Sequence, residues 1–184
     1  STYSLYKTWL LEKRILPELN TMVNIVVGVF YLLAWLANRK EKAFLWFGIT
    51  GFGWVIYSFC FLYTDPVSFL TTISIDRLQN IIFCFYTVGG CLGALYFVNK
   101  SFPLIQKLLF IFLAVATVCI ALAPTNQVSA VIQFFFSIAV AIFLLKCITY
   151  PFIAYKSKLP ETYLLAILYL IYLPIAFNDA QFMI

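Results

Sequence analysis

Long apolar runs make up most of the chain, and short stretches between them carry its charges, prolines and turn-forming residues. Six of these runs are near the ~20 residues that a helix needs to cross a bilayer. They are Thr21–Ala37, Ala43–Tyr63, Leu78–Val98, Ile105–Ala123, Ser129–Ala154 and Thr162–Ile184. A strand of a transmembrane β-barrel would alternate apolar and polar positions over about ten residues. The run Leu108–Ala123 is instead apolar on every face. The pattern therefore predicts an all-α, polytopic transmembrane helical bundle whose connectors are too short to hold a soluble domain. Residues 1–20 stand apart, because Leu5, Trp9, Leu16 and Leu19 are scattered among charged residues. This segment reads either as an amphipathic helix along the membrane interface or as the trimmed edge of something larger. Its charges interrupt any apolar core, and no small-residue cleavage site follows, so it is not read as a signal peptide.

Composition excludes the other classes. Of 184 residues, 64% are hydrophobic and 10% charged, against about 45–50% and about 25% in soluble domains. So few charges can neither cover a water-exposed surface nor keep a chain disordered. The absence of histidine removes Ser-His-Asp and Cys-His catalysis and histidine-ligated metal or haem from this stretch. No paired acid or nucleophile–base set stands out, so neither catalysis, a cofactor, a metal nor nucleic-acid binding is expected of it. The lipid bilayer is the expected surrounding.

The basic residues set an orientation, because cytoplasmic loops next to spans carry an excess of Lys and Arg. Arg39, Lys40, Lys42, Lys100, Lys107, Lys156 and Lys158 flank the first, third and fifth connectors, whereas the second has only Arg77 beside Asp65 and Asp76, and the fourth has none. Odd connectors are thus expected in the cytoplasm and both termini outside. Lys7, Lys13 and Arg14 run against this rule. Trp46, Tyr96, Tyr150, Tyr155 and Tyr163 fall at expected inner span ends, the depth that amphipathic aromatics prefer.

A polar residue in hydrocarbon is costly unless it faces the bundle or a cavity. On the third span Asn80, Cys84, Thr87 and Cys91 form one stripe at helical spacing; on the fifth, Ser129, Gln133 and Ser137 do; on the sixth, Tyr169, Tyr172, Ala176 and Asp179 do, with Asn178 adjoining. In the expected topology Asn24, Asn80, Gln133, Asn178 and Asp179 lie in the outer halves of their helices, with Arg77 at the mouth. Two readings follow: an outward-facing ligand pocket built on Asp179, Asn178, Tyr172, Asn80, Arg77, Gln133 and Asn24, with Arg77 as partner to Asp179, or interhelical hydrogen bonds worth about 1 kcal/mol each. Lys146 is the other ionisable group within a span, and its long stem is expected to snorkel toward the nearer interface. Gly89, Gly90 and Gly93 form a small-residue patch for close helix packing, within the bundle in preference to a homodimer face. Pro151 and Pro174, inside helices, are candidate hinges. The five cysteines lie in spans without a C-x-x-C pair and read as packing residues.

The segment from Gly28 to Gly48, GVFYLLAWLANRKEKAFLWFG, and the later Phe177-Asn178-Asp179 resemble the membrane region of the bacterial seven-transmembrane receptors with diverse intracellular signalling modules. The resemblance is specific at these two places. It implies a sensory module in a bacterial cytoplasmic membrane, with an extracytoplasmic ligand-binding domain before the bundle and a histidine kinase, cyclase or phosphatase output after it. Six spans leave Ile184 outside, so the resemblance also implies a seventh helix that returns to the cytoplasm. The rival expectations are a small transporter or channel subunit and a structural subunit of a larger complex. No internal repeat of Gly, Pro or charge relates the first three spans to the last three, as it would in many transporters.

Overall fold

The computed structural model describes residues 15–62, 71–98, 102–157 and 159–181, without the side chains at 17, 61, 62, 172 and 175–181. Six helices account for nearly all of them: α1 Leu16–Ala37, α2 Lys42–Leu62, α3 Thr72–Phe97, α4 Pro103–Leu122, α5 Val128–Ser157 and α6 Pro160–Gln181. The first five are long and apolar enough to cross a membrane. In α6, 22 residues long, the apolar stretch Pro160–Ile171 is described. The outer surface is what a bilayer requires, with Val26, Phe30, Leu122 and Phe152 each about two-thirds or more exposed. Water would not tolerate so continuous an apolar surface.

Local chemistry explains where the helices begin. Pro17 and Pro103 stand in the first turns of α1 and α4, and Pro160 opens α6. Proline fits there because its missing N–H would have no helical partner and its φ is already helical. Helix α1 accordingly starts at Leu16, so residues 16–20 of the segment read apart from the first span belong to the same helix as that span; residues 1–14 lie outside the described residues. Helix α3 starts at Thr72, earlier than the expected Leu78, because the Thr71 hydroxyl accepts the Ser74 N–H at 3.3 Å. That cap satisfies one of the unpaired donors at a helix N-terminus. Between α1 and α2 the chain reverses in a tight turn, with Asn38 N–H donating to Ala34 O and Glu41 N–H to Asn38 O.

Helix α3 is the centre of the bundle and touches α2, α4 and α5; α1 packs on α2, and α6 on α5. Its buried face includes Cys84, Thr87, Val88, Cys91, Leu92 and Leu95. One core cluster joins Cys84 of α3 to Ala116 and Ile120 of α4 and to Phe135 and Ala139 of α5. A second, toward the opposite end, joins Ala94 and Val98 of α3 to Cys147, Tyr150 and Ala154 of α5 and to Ala166 and Tyr169 of α6.

Glycines set the closest approaches. A side chain at Gly51 would stand 3.3 Å from the Cα of Gly28, so α1 and α2 meet nearly backbone to backbone. Gly89 and Gly93 face Thr50 and Phe47 of α2, where an added Cβ would come within 2.5 Å and 2.9 Å of those side chains. The G-x-x-x-G pair is therefore occupied by an intramolecular contact, with dispersion energy as its reward. Gly90 faces the other way, toward α5.

Candidate functional site

The described polar side chains of the expected pocket find their partners within their own helix or at a helix end, or stand exposed. Asn24 donates to Asn20, to its backbone carbonyl at 2.8 Å and its side-chain oxygen at 3.1 Å, within α1. Asn80 donates to the Asp76 carbonyl at 2.9 Å, within α3. Gln133 and Ser129 are exposed on α5, and so is Ser137, whose hydroxyl donates to the Gln133 carbonyl at 2.8 Å. The stripe on the fifth span thus looks out of the bundle. Its spacing is helical, but a serine satisfied by its own helix needs no partner helix. Ser137→Ala is accordingly expected to change thermal stability in detergent by less than about 0.5 kcal/mol; a larger loss would place this residue against a neighbour.

Among the described residues Arg77 bonds to a helix end. Its guanidinium reaches the end of α4 and donates to the carbonyls of Ala121 at 2.5 Å and Ala123 at 2.6 Å. These are among the carbonyls that a helix C-terminus leaves unpaired, and a cation there also complements the helix dipole. Arg77 thereby ties the start of α3 to the end of α4. The side chains of Tyr172, Asn178 and Asp179 lie outside the described residues; the backbone of α6 runs helical through all three positions, with Pro174 between them. Pro151 likewise lies inside an unbroken α5.

The second intramembrane ionisable group supplies a site that the sequence reading missed. Lys146 does not snorkel. Its ammonium turns into the bundle, 4.4 Å from the centre of the Phe143 ring and 4.6 Å from that of Tyr169 on α6. Both contacts are within cation–π range. Room for the ammonium comes from Gly90 of α3, where a Cβ would stand only 3.3 Å from Nζ. Among the described residues no carboxylate pairs with it. About 16 Å of helix, at about 1.5 Å per residue, separates Lys146 from Ser157 at the end of α5. In a 30-residue helix, about 45 Å long against a hydrocarbon core about 30 Å thick, that places the ammonium inside the apolar span, where an ion is costly.

Lys146 also lines a cavity of about 680 Å³ bounded by α3, α4 and α5. Its walls are almost wholly apolar, built from residues such as Leu95, Leu109, Phe112 and Ile142. One further wall residue is Tyr150, 2% exposed, whose hydroxyl is buried and has no hydrogen-bond partner among the described residues. Its ring meets Tyr169 edge to face at 5.0 Å. Two donors, an ammonium and a phenol, thus stand one helical turn apart on α5 beside an apolar chamber. The i, i+4 spacing of Lys146 and Tyr150 was visible in the sequence, but nothing in it placed Gly90 or Tyr169 opposite. All five cysteines are free, and Cys84, Cys91 and Cys147 are buried as packing residues. Among the described residues no cluster of Cys, Asp or Glu could hold a metal ion.

Comparison with models of known protein families, with characterised proteins and with solved structures finds no match to this chain.

Proposed function

We propose that the chain is the membrane-embedded sensory module of a bacterial signal-transduction protein. In this reading six helices span the cytoplasmic membrane, the basic connectors face the cytoplasm, and a stimulus from the bundle or an extracytoplasmic domain is relayed to a cytoplasmic output domain. The observation that carries the proposal is the ammonium of Lys146 at the junction of α3, α5 and α6, which no carboxylate among the described residues pairs. An ionisable group inside an apolar span is costly, and such groups mark functional sites by default. Helix α6 is the element suited to respond. Its buried residues Thr162, Ala166 and Tyr169 lie on one face, while Leu164, Ile167, Leu168 and Ile171 are exposed, a surface open to a seventh helix. Tyr169 closes over Lys146, so whatever changes the surroundings of the ammonium changes the seat of α6. A stimulus can shift that seat only by favouring one packing over the other.

The site itself performs no chemistry in this reading; any enzymatic activity belongs to the output domain. Asp179→Asn and Tyr172→Phe, made in the intact parent protein, are expected to weaken the output while leaving membrane insertion, read from topology reporters, unchanged. Unaltered dose–response curves in both variants would remove the C-terminal half of α6 from the relay. The inward Lys146 also favours a second reading, a small transporter or channel subunit, since charged side chains in cavities line ion pathways. Reconstitution in liposomes with pH- and voltage-sensitive dyes separates the two: a sensory module conducts nothing, and a flux abolished by Lys146→Met would establish the transport reading.

A further inference from the structure

We propose that the chamber between α3, α4 and α5 is a binding site for a long-chain fatty acid, with Lys146 and Tyr150 holding its carboxylate. The proposal deepens the sensory reading above by naming the chemical class of its ligand.

Shape and access come first. At about 680 Å³ the cavity falls within the roughly 300–1,000 Å³ typical of sites that enclose small ligands. Helices α4 and α5 pack together in the cluster around Ala116, Ile120 and Phe135, toward the 123–127 turn that joins them. Away from that turn the cavity separates them. Its rim residues Leu108 and Leu145 are 57% and 61% exposed, and Phe152 is 69% exposed. The mouth therefore opens sideways, onto the surface that acyl chains cover. A ligand that enters here arrives dissolved in the bilayer, and apolar walls select an alkyl or isoprenoid body.

Charge then selects the head. Among the described residues the only cation lining the chamber is Lys146, and no carboxylate neutralises it. In a low-dielectric interior an unpaired charge is penalised, and a ligand of opposite charge relieves the penalty. Tyr150 points to the same conclusion independently. A phenol 98% removed from solvent is expected to donate a hydrogen bond, and this one has no partner among the described residues. A carboxylate accepts from both donors at once. An uncharged acceptor such as an alcohol or ester would satisfy the phenol and leave the ammonium unpaired. Gly90 belongs to the site as the residue whose missing side chain leaves space for the ammonium.

The test uses the complete chain in detergent micelles and a palmitate analogue carrying a photoreactive diazirine on its tail. Labelling is expected on α4 and α5, within the cavity-lining segments 105–112 and 142–153. Unlabelled palmitate should compete, whereas methyl palmitate and the corresponding alcohol should compete about tenfold less well or worse. Lys146→Met, which keeps the length of the side chain and removes its charge, should reduce labelling about tenfold or more. Lys146→Arg should retain most of it, and Tyr150→Phe should give an intermediate loss. Equal competition by the alcohol, or undiminished labelling of Lys146→Met, would show that the chamber takes any acyl chain and would overturn the proposal. Should Lys146→Met fail to fold, the ester and alcohol competitions on the unaltered chain still decide. Binding is read here without any signalling output. A negative result leaves the sensory reading standing, and binding that leaves the output of the intact parent protein unchanged overturns the sensory reading alone.

Discussion

Gly89→Leu is expected to cost about 1–3 kcal/mol and to separate α2 from α3, read as a lowered midpoint of thermal unfolding in detergent. The cause is steric. Even a lone Cβ at this position would come within 2.5 Å of the Thr50 hydroxyl, which is itself held by donation to the Trp46 carbonyl at 2.5 Å. The hydroxyl cannot rotate aside without losing that bond, and a leucine adds three more carbons to a face already closed by Trp46. Overpacking of a tight interior costs about 1–3 kcal/mol because side chains leave their rotamers and backbones shift. In a membrane the effect is sharper in kind, because separated helices are not driven back together by water. Gly53→Leu is the matched control: an added Cβ there meets Phe85 at an ordinary 3.5 Å, so the loss should be smaller. Equal losses at both positions would indicate that the cost lies in the chemistry of leucine and not in the α2–α3 contact.

Arg77→Met is expected to release the end of α4, with faster amide exchange in its last turn and about 1.5–3 kcal/mol lost in stability. The estimate follows from hydrogen bonds made by a charged donor, of which this guanidinium makes two, to Ala121 and Ala123. Both acceptors are helix-end carbonyls that no backbone N–H can reach. Arg77→Lys should recover only part of the loss, because a lysine presents a point charge and not the planar fork that spans two carbonyls. Exchange unchanged in the last turn of α4 would show that water serves those carbonyls as well as the arginine does.

How far the sequence foretold the site differs between Arg77 and Lys146 for a physical reason. Arg77 was legible as a residue at the rim of a helix end, and its neighbourhood at the mouth of the bundle follows from topology. Its partners were not legible, since Ala121 and Ala123 are recognised only by backbone oxygens, which every sequence supplies. Lys146 was legible as an intramembrane charge, yet its long stem permits both an outward and an inward course. What selects the inward course is a contact between distant elements, the vacancy left by Gly90 on α3 and the Tyr169 ring on α6. The Ser129, Gln133 and Ser137 stripe shows the complementary limit. A helix apolar all round has no amphipathic asymmetry to mark its inner face, and hydroxyls bonded to their own helix can face lipid at little cost.

The sequence by itself determined that this protein is a bundle of apolar helices of membrane-spanning length, because hydrocarbon admits only chains that satisfy their own backbone hydrogen bonds and the ~20-residue runs are long enough to do so. The helix starts at Pro17, Pro103 and Pro160 rest on local chemistry of the same kind. Only the tertiary structure decided which polar groups look inward. That choice depends on volumes and donors brought together from distant helices, and here it set Gly90 of α3 and Tyr169 of α6 against the Lys146 ammonium, beside a chamber that Lys146 and Tyr150 line, for which no spacing along a single helix could have been diagnostic.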